Sequence, residues 1–197
     1  MKIALYTLVL LTLLSCSGKE KANQATNSTS SKATTTDTLQ PPVAISEQST
    51  GKQEAPEGAG TWRYERTTDR VGNPVYKASI TSPRLLEFSF PYAGGSIATL
   101  TIRKRESGTH VYIQVSKGQF NRSFQGGKAD VRFDGNSVIP YAFSAAENGS
   151  ANIIFFDSEK ALIDKLKTTK KMTINLDFAG QGQRQIEFIT AGLVWNH

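Results

Sequence analysis

Lys171-Met172-Thr173-Ile174-Asn175-Leu176-Asp177-Phe178 alternates polar and apolar residues along its whole length. Successive side chains of an extended strand point to opposite faces, so this period of two predicts a strand with one wet and one buried face. The same period recurs on both sides of it. Val111, Ile113 and Val115 are interleaved with His110, Tyr112 and Gln114, and Ala98, Leu100 and Ile102 with Thr99, Thr101 and Arg103. Val131 and Phe133, Ile186 and Phe188, Tyr76, Ala78 and Ile80, and Leu86, Phe88 and Phe90 form further rows, with Trp62 and Tyr64 opening the set. Ile153-Ile154-Phe155-Phe156 is apolar throughout and predicts a strand covered on both faces. Glycine-rich punctuation separates the rows, as at Gly72-Asn73-Pro74, Gly126-Gly127 and Gly180-Gln181-Gly182.

One stretch breaks the period. Asp157 or Ser158 is placed to cap a helix whose apolar stripe is Ala161, Leu162, Ile163 and Leu166, and Lys165 and Lys167 suit its C-terminal dipole. The predicted fold is therefore mainly β, an antiparallel sandwich or partly closed barrel, with one short helix over about 158–168.

Upstream of the strands the chain changes character. Lys2 precedes an apolar run over residues 3–14, shorter than the roughly 20 residues that a spanning helix needs and matched to the core of a secretory signal. Leu13-Leu14-Ser15-Cys16 follows, and Cys16 is the only cysteine in the 197 residues. These residues resemble the lipobox of bacterial lipoproteins. The resemblance implies cleavage before Cys16, acylation of its thiol, and a place in the bacterial cell envelope, lipid-anchored to a membrane (the outer one in a Gram-negative cell). Residues 17–60 hold thirteen Ser or Thr and no aromatic residue, too little apolar surface to offset chain entropy. The reading is a signal peptide over 1–15, a lipidated, disordered tether over 16–60 with a reach of roughly 35–40 Å, and a single all-β domain over 61–197. Within the tether, Asp37-Thr38-Leu39 resembles the O-glycosylation acceptor of Bacteroidetes envelope proteins, which marks Thr38.

The whole formal charge of +6 belongs to the domain, where eighteen Lys and Arg face twelve Asp and Glu. One Cys and two His exclude a disulfide framework and any Cys-based zinc site, and no metal or cofactor is expected. His110 lies at the start of a strand, facing outward, and His197 is read as frayed. Asp130 and Asp134 are expected on one strand face, roughly 13 Å apart, wider than a glycosidase pair. The glycine pairs lack the Lys-Ser/Thr and helix of a phosphate cradle.

The candidate binding site is a basic hairpin. Arg103-Lys104-Arg105 leads into Glu106-Ser107-Gly108, and pairing of the flanking strands brings Tyr112 beside the cations. Lys117, Arg122 and Lys128 follow soon after in sequence. Such a patch suits an acidic envelope glycan, a lipid head group or an acidic protein partner, and nucleic acid is not expected.

Thr101-Ile102-Arg103, His110-Val111-Tyr112-Ile113, Val131-Arg132-Phe133-Asp134, Leu162-Ile163-Asp164-Lys165-Leu166 and Ile186-Glu187-Phe188-Ile189-Thr190-Ala191-Gly192-Leu193 occur in an order that weakly resembles the VasI/TagO-type envelope accessory domains, over 61–195. That resemblance implies a structural accessory of a secretion or surface machine. The expected function is a non-catalytic binding or assembly domain. The rival reading is a cell-wall glycan-active enzyme.

Overall fold

The alternating rows form strands, except that of Leu86, Phe88 and Phe90. The computed structural model describes residues 57–197; the signal segment 1–15, Cys16, Thr38 and the tether as far as residue 56 lie outside the described residues. Nine strands occur in the order β1 (Arg63–Thr68), β2 (Pro74–Thr81), β3 (Ala98–Arg105), β4 (Gly108–Val115), β5 (Gly127–Phe133), β6 (Ile139–Ala145), β7 (Ile153–Phe156), β8 (Met172–Phe178) and β9 (Gly182–Phe188). Helix α1 (Glu159–Thr168) stands between β7 and β8. All neighbours are antiparallel and make one sheet in the order β1-β2-β3-β4-β7-β6-β5-β8-β9.

The sheet is open but curled. The inward residues of every strand except β1 join Trp62, Leu193 and Trp195 in one apolar core, with Leu100, Ile113, Ile154, Ile174 and Phe188 fully buried. The two edges meet through side chains. Trp62 Nε1 donates to the Thr190 carbonyl at 3.0 Å, and the Tyr64 hydroxyl accepts from the Val194 amide at 2.9 Å. The segment after β9 thus runs beside β1 and closes the curl without a ladder, a partly closed barrel in which Leu193 and Trp195 face in and Val194 faces out.

The two ends of this barrel differ. At one end lie the turns β1–β2, β3–β4 and β5–β6, together with α1, which passes from the end of β7 to the start of β8. Leu162, Ile163 and Leu166 of α1 are buried in the core, so the helix covers this end. We call it the helix end. At the other, loop end, lie residues 82–97, 116–126 and 146–152 and the turn after β8.

Several expectations need correction. Residues 82–97 form no strand: Leu86 makes one isolated bridge to Ser96, Leu86 and Phe88 are buried, and Phe90 is 89% exposed. Strand β6 escaped the reading because Pro140, which has no amide hydrogen, and the exposed Ile139 blur its period. Strand β7 is buried on one face only; Ile153 and Phe155 are half-buried. On α1, Ser158 takes the N-cap position but makes no capping hydrogen bond, the Asp157 carboxylate accepts from the Ser144 hydroxyl instead, and Ala161 is exposed.

Candidate functional site

The β3–β4 hairpin pairs Arg103 with His110 and Thr101 with Tyr112 and turns through Glu106-Ser107. Arg103 and Tyr112 therefore share the outer face, one pleat apart. The Arg103 guanidinium lies over the Tyr112 ring, 5.2 Å from its centroid, as the hairpin reading expected. Burial pulls the Arg103 guanidinium below its ordinary value; Tyr112 opposes that shift and Arg105 adds to it. Arginine still carries its charge at neutral pH. The Arg103 Nε is buried with no hydrogen-bond partner.

The rest of the basic run is divided. Lys104 pairs with Tyr76 and Thr109, so it takes the opposite face from Arg103. Arg105 is exposed at the tip. Lys117, Arg122 and Lys128 stand at the loop end, the length of a strand away from that tip, and do not extend the patch.

Acidic neighbours also dilute it. Across the outer face, Lys77 lies between Glu65 and Arg103 in register, and Lys77 Nζ is 2.7 Å from Glu65. His110 is next in that row, and its Nδ1 lies 3.6 Å from a carboxylate oxygen of Glu159, at the start of α1. The row runs acid, cation, cation, imidazole, acid, with Arg103 at its centre and Lys77 directly beside it. Phe155 extends it as an apolar neighbour, 5.1 Å from the Tyr112 ring and 6.1 Å from that of His110.

The carboxylate pair expected on β5 does not exist. Asp130 is exposed on the strand, but Asp134 lies just past its end with φ +50°. Its carboxylate accepts the amides of Lys170 and Lys171, both at 2.9 Å. That work pins the start of β8 beside the end of β5, a structural task. Among the described residues no group of three or more His, Cys, Asp or Glu is arranged to hold a metal.

Two concavities were not expected. At the seam, Tyr64, Arg66, Tyr76, Val194, Trp195 and His197 line a hollow of about 200 Å³. His197 is not frayed: its ring stacks on Tyr76 with centroids 3.9 Å apart, and Arg66 lies over the other partner of that stack. Trp195 is buried, with its Nε1 unpartnered. Sequence reasoning had no means to join Tyr64 to Trp195, because only closure of the curl brings them together. At the loop end, Tyr92, Lys117, Gln119 and Asn152 line a wider hollow of about 360 Å³ that is open to solvent.

The arrangement offers hydrogen bonding, a cation on an aromatic face and shallow apolar contact. No family model matches this chain, and neither does any curated protein or any solved structure.

Proposed function

We propose that this protein is a bacterial envelope lipoprotein, held to a membrane through Cys16, whose β domain is a binding module and not a catalyst. The observation that carries the reading is the position of the chain's one cysteine directly after Leu13-Leu14-Ser15 and the apolar run. Acyl chains there contribute about 0.8 kcal/mol for each buried CH₂, enough for near-permanent attachment when two or more are present.

The binding face in this proposal is the outer side of β3 and β4. Arg103 on Tyr112, flanked by Arg105, suits a carboxylate or phosphate of an envelope glycan, lipid head group or acidic protein. The carboxylates of Glu65 and Glu159 at the two ends of that row favour a partner with both signs over a polyanion.

Two measurements test the proposal. The mass of the mature N-terminal peptide from envelope fractions reports whether Cys16 is acylated, and Cys16→Ala is expected to release the protein from the membrane. Retention of the variant on the membrane defeats the anchor. For the binding face, pull-down from detergent-solubilised envelope is compared between the native chain and Arg103→Ser/Arg105→Ser. A salt-sensitive partner lost in the variant supports it, and unchanged capture removes the hairpin from the proposal.

A further inference from the structure

Strand β1 is the barer of the sheet's two edges. Along the other, β9, the loop over 82–97 is drawn in: Arg184 Nε donates to the Glu87 carbonyl at 3.1 Å, and its guanidinium lies over the Phe88 ring. On β1 all six residues are exposed. The direction of its backbone groups is fixed by the turn. The Asp69 amide donates to the Asn73 carbonyl at 2.9 Å, so in the register that leads back from this pair the odd-numbered residues of β1 exchange hydrogen bonds with β2. Pro74, which has no amide hydrogen, accordingly falls opposite Thr68. The amides and carbonyls of Tyr64, Arg66 and Thr68 therefore point away from the sheet, and none has a hydrogen-bond partner among the described residues. The segment after β9 does not take them; its hydrogen bonds to β1 go to the Tyr64 hydroxyl.

Beside these open groups lies the seam hollow of about 200 Å³, walled by Tyr64, Tyr76, Val194 and Trp195. Tyr64 and Arg66 share the sheet face of Tyr76. Side chains on that face of a strand added at β1 would reach the hollow and Arg66.

The charge on that face is positive. Arg66, Tyr76 and Lys104 are neighbours in register across β1, β2 and β3, and neither cation forms a salt bridge among the described residues. The other charges nearby are matched. Glu65 pairs with Lys77 on the outer face, and Lys171 pairs with Glu187 near the start of β1. Lys170 stands beside Asp134, and in the two adjoining turns Asp69 and Glu106 face Arg70 and Arg105. Arg63 turns to the Glu57 carbonyl.

We infer that the open edge of β1 takes an extended, acidic peptide segment of a partner protein as a further strand, antiparallel to β1 like every pairing in the sheet. An acidic residue of the peptide lies opposite Arg66. Two positions on, an aromatic residue lies opposite Tyr64 and enters the hollow. Backbone pairing supplies affinity, and the alternate side chains supply selectivity. A second copy of this chain fits less well, because the two-fold registers that pair most of β1 set Glu65 or Arg66 against its own copy. The inference is independent of the lipid anchor and of the face on β3 and β4.

The experiment uses the full chain and a capped, fluorescein-labelled peptide, Thr-Thr-Glu-Thr-Tyr-Thr-Thr, read by anisotropy. Binding is expected, and it weakens about tenfold when the peptide's Tyr is replaced by Ser or its Glu by Lys. Arg66→Glu reverses the second preference; Arg66 is exposed, and an unchanged urea midpoint shows that the fold is intact. The backbone is tested separately. The peptide's Glu amide points at β1, so its N-methylation abolishes binding, whereas N-methylation of the Thr between Glu and Tyr leaves it unchanged. Equal loss from the two methyl groups, or none from either, overturns strand addition, and so does the absence of binding at millimolar peptide. Sedimentation of the chain as a dimer that Arg66→Glu disperses gives the edge to a second copy and overturns the inference as well.

Discussion

Between β2 and β3, six consecutive residue pairs run in register, and the backbone supplies the attraction. Between β1 and the segment after β9, the contact rests on side chains: Trp62 on the Thr190 carbonyl, Tyr64 against Gly192 and Val194, and the His197 ring on Tyr76. A ladder survives most side-chain changes because each amide bond is independent of residue type. A seam of this kind depends on a few named groups. The difference predicts where single substitutions open the barrel and where they only thin its core.

The largest effect is expected in the core itself. Phe178 lies between Phe88 and Phe120, with ring centroids at 4.9 and 4.8 Å, and is almost fully buried. Phe178→Ala is expected to cost about 3–5 kcal/mol in chemical denaturation, since it leaves a cavity where loop-end residues meet the sheet. A loss below about 1 kcal/mol would show that this corner repacks freely and would blunt the contrast between sheet and seam.

The seam offers a finer test through its two tryptophans. Trp62 Nε1 has the Thr190 carbonyl as partner, whereas Trp195 Nε1 is buried without one. Phenylalanine removes the donor at either site and shrinks the ring. Trp62→Phe is expected to be the more damaging by about 1–2 kcal/mol, because it strands an acceptor and Trp195→Phe strands none. Urea midpoints of the two variants check this, and an equal loss would remove hydrogen bonding from the account of closure.

The smallest effect concerns the β1–β2 turn, at the helix end of the seam. The Asp69 carboxylate accepts the amides of Asn73 at 2.8 Å and Val71 at 3.0 Å. The Asn73 bond is the largest influence, and with the others it outweighs desolvation and lowers the Asp69 pKa below its ordinary 3.8. A depressed carboxyl contributes stability that is present above the unfolded value and lost as pH falls through the folded one. The stability gap between the native chain and Asp69→Ala should therefore be small, level from neutral pH to about pH 4, and close only below that. Denaturant titrations across this range measure it; a gap that closes already near neutrality contradicts the assignment.

The periodic rows were readable because burial on one face forces alternation: β5 and β8 show it along the strand, β4 over 111–115 and β9 over 186–188, while in β3 the buried Thr101 joins Leu100 and Ile102. Where that cause was weak, the signal was weak too. At β1 the reading had only Trp62 and Tyr64, and every residue of the strand is exposed, while β6 combines Pro140 with an exposed start. Leu86, Phe88 and Phe90 alternate yet form no strand, because loop side chains that dip into a core can alternate as well. For the site, the Arg103–Tyr112 contact was legible since hairpin register is local. Lys104 on the other face follows from the same period, which a run of three cations obscures.

By itself, the sequence determined the mainly β class, the one helix and its buried stripe, and the nearness of Arg103 to Tyr112. All of these follow from interactions between residues close along the chain, where geometry is set by backbone period. The strand order, the closure of the curl by Trp62, Tyr64 and the segment after β9, and the placing of the exposed Phe90 and Phe124 at the loop end were settled by the tertiary fold alone. Those contacts join residues up to 130 positions apart. They arise because a curled sheet must bury its inner face against itself, a requirement met by the whole chain and written in no single stretch of it.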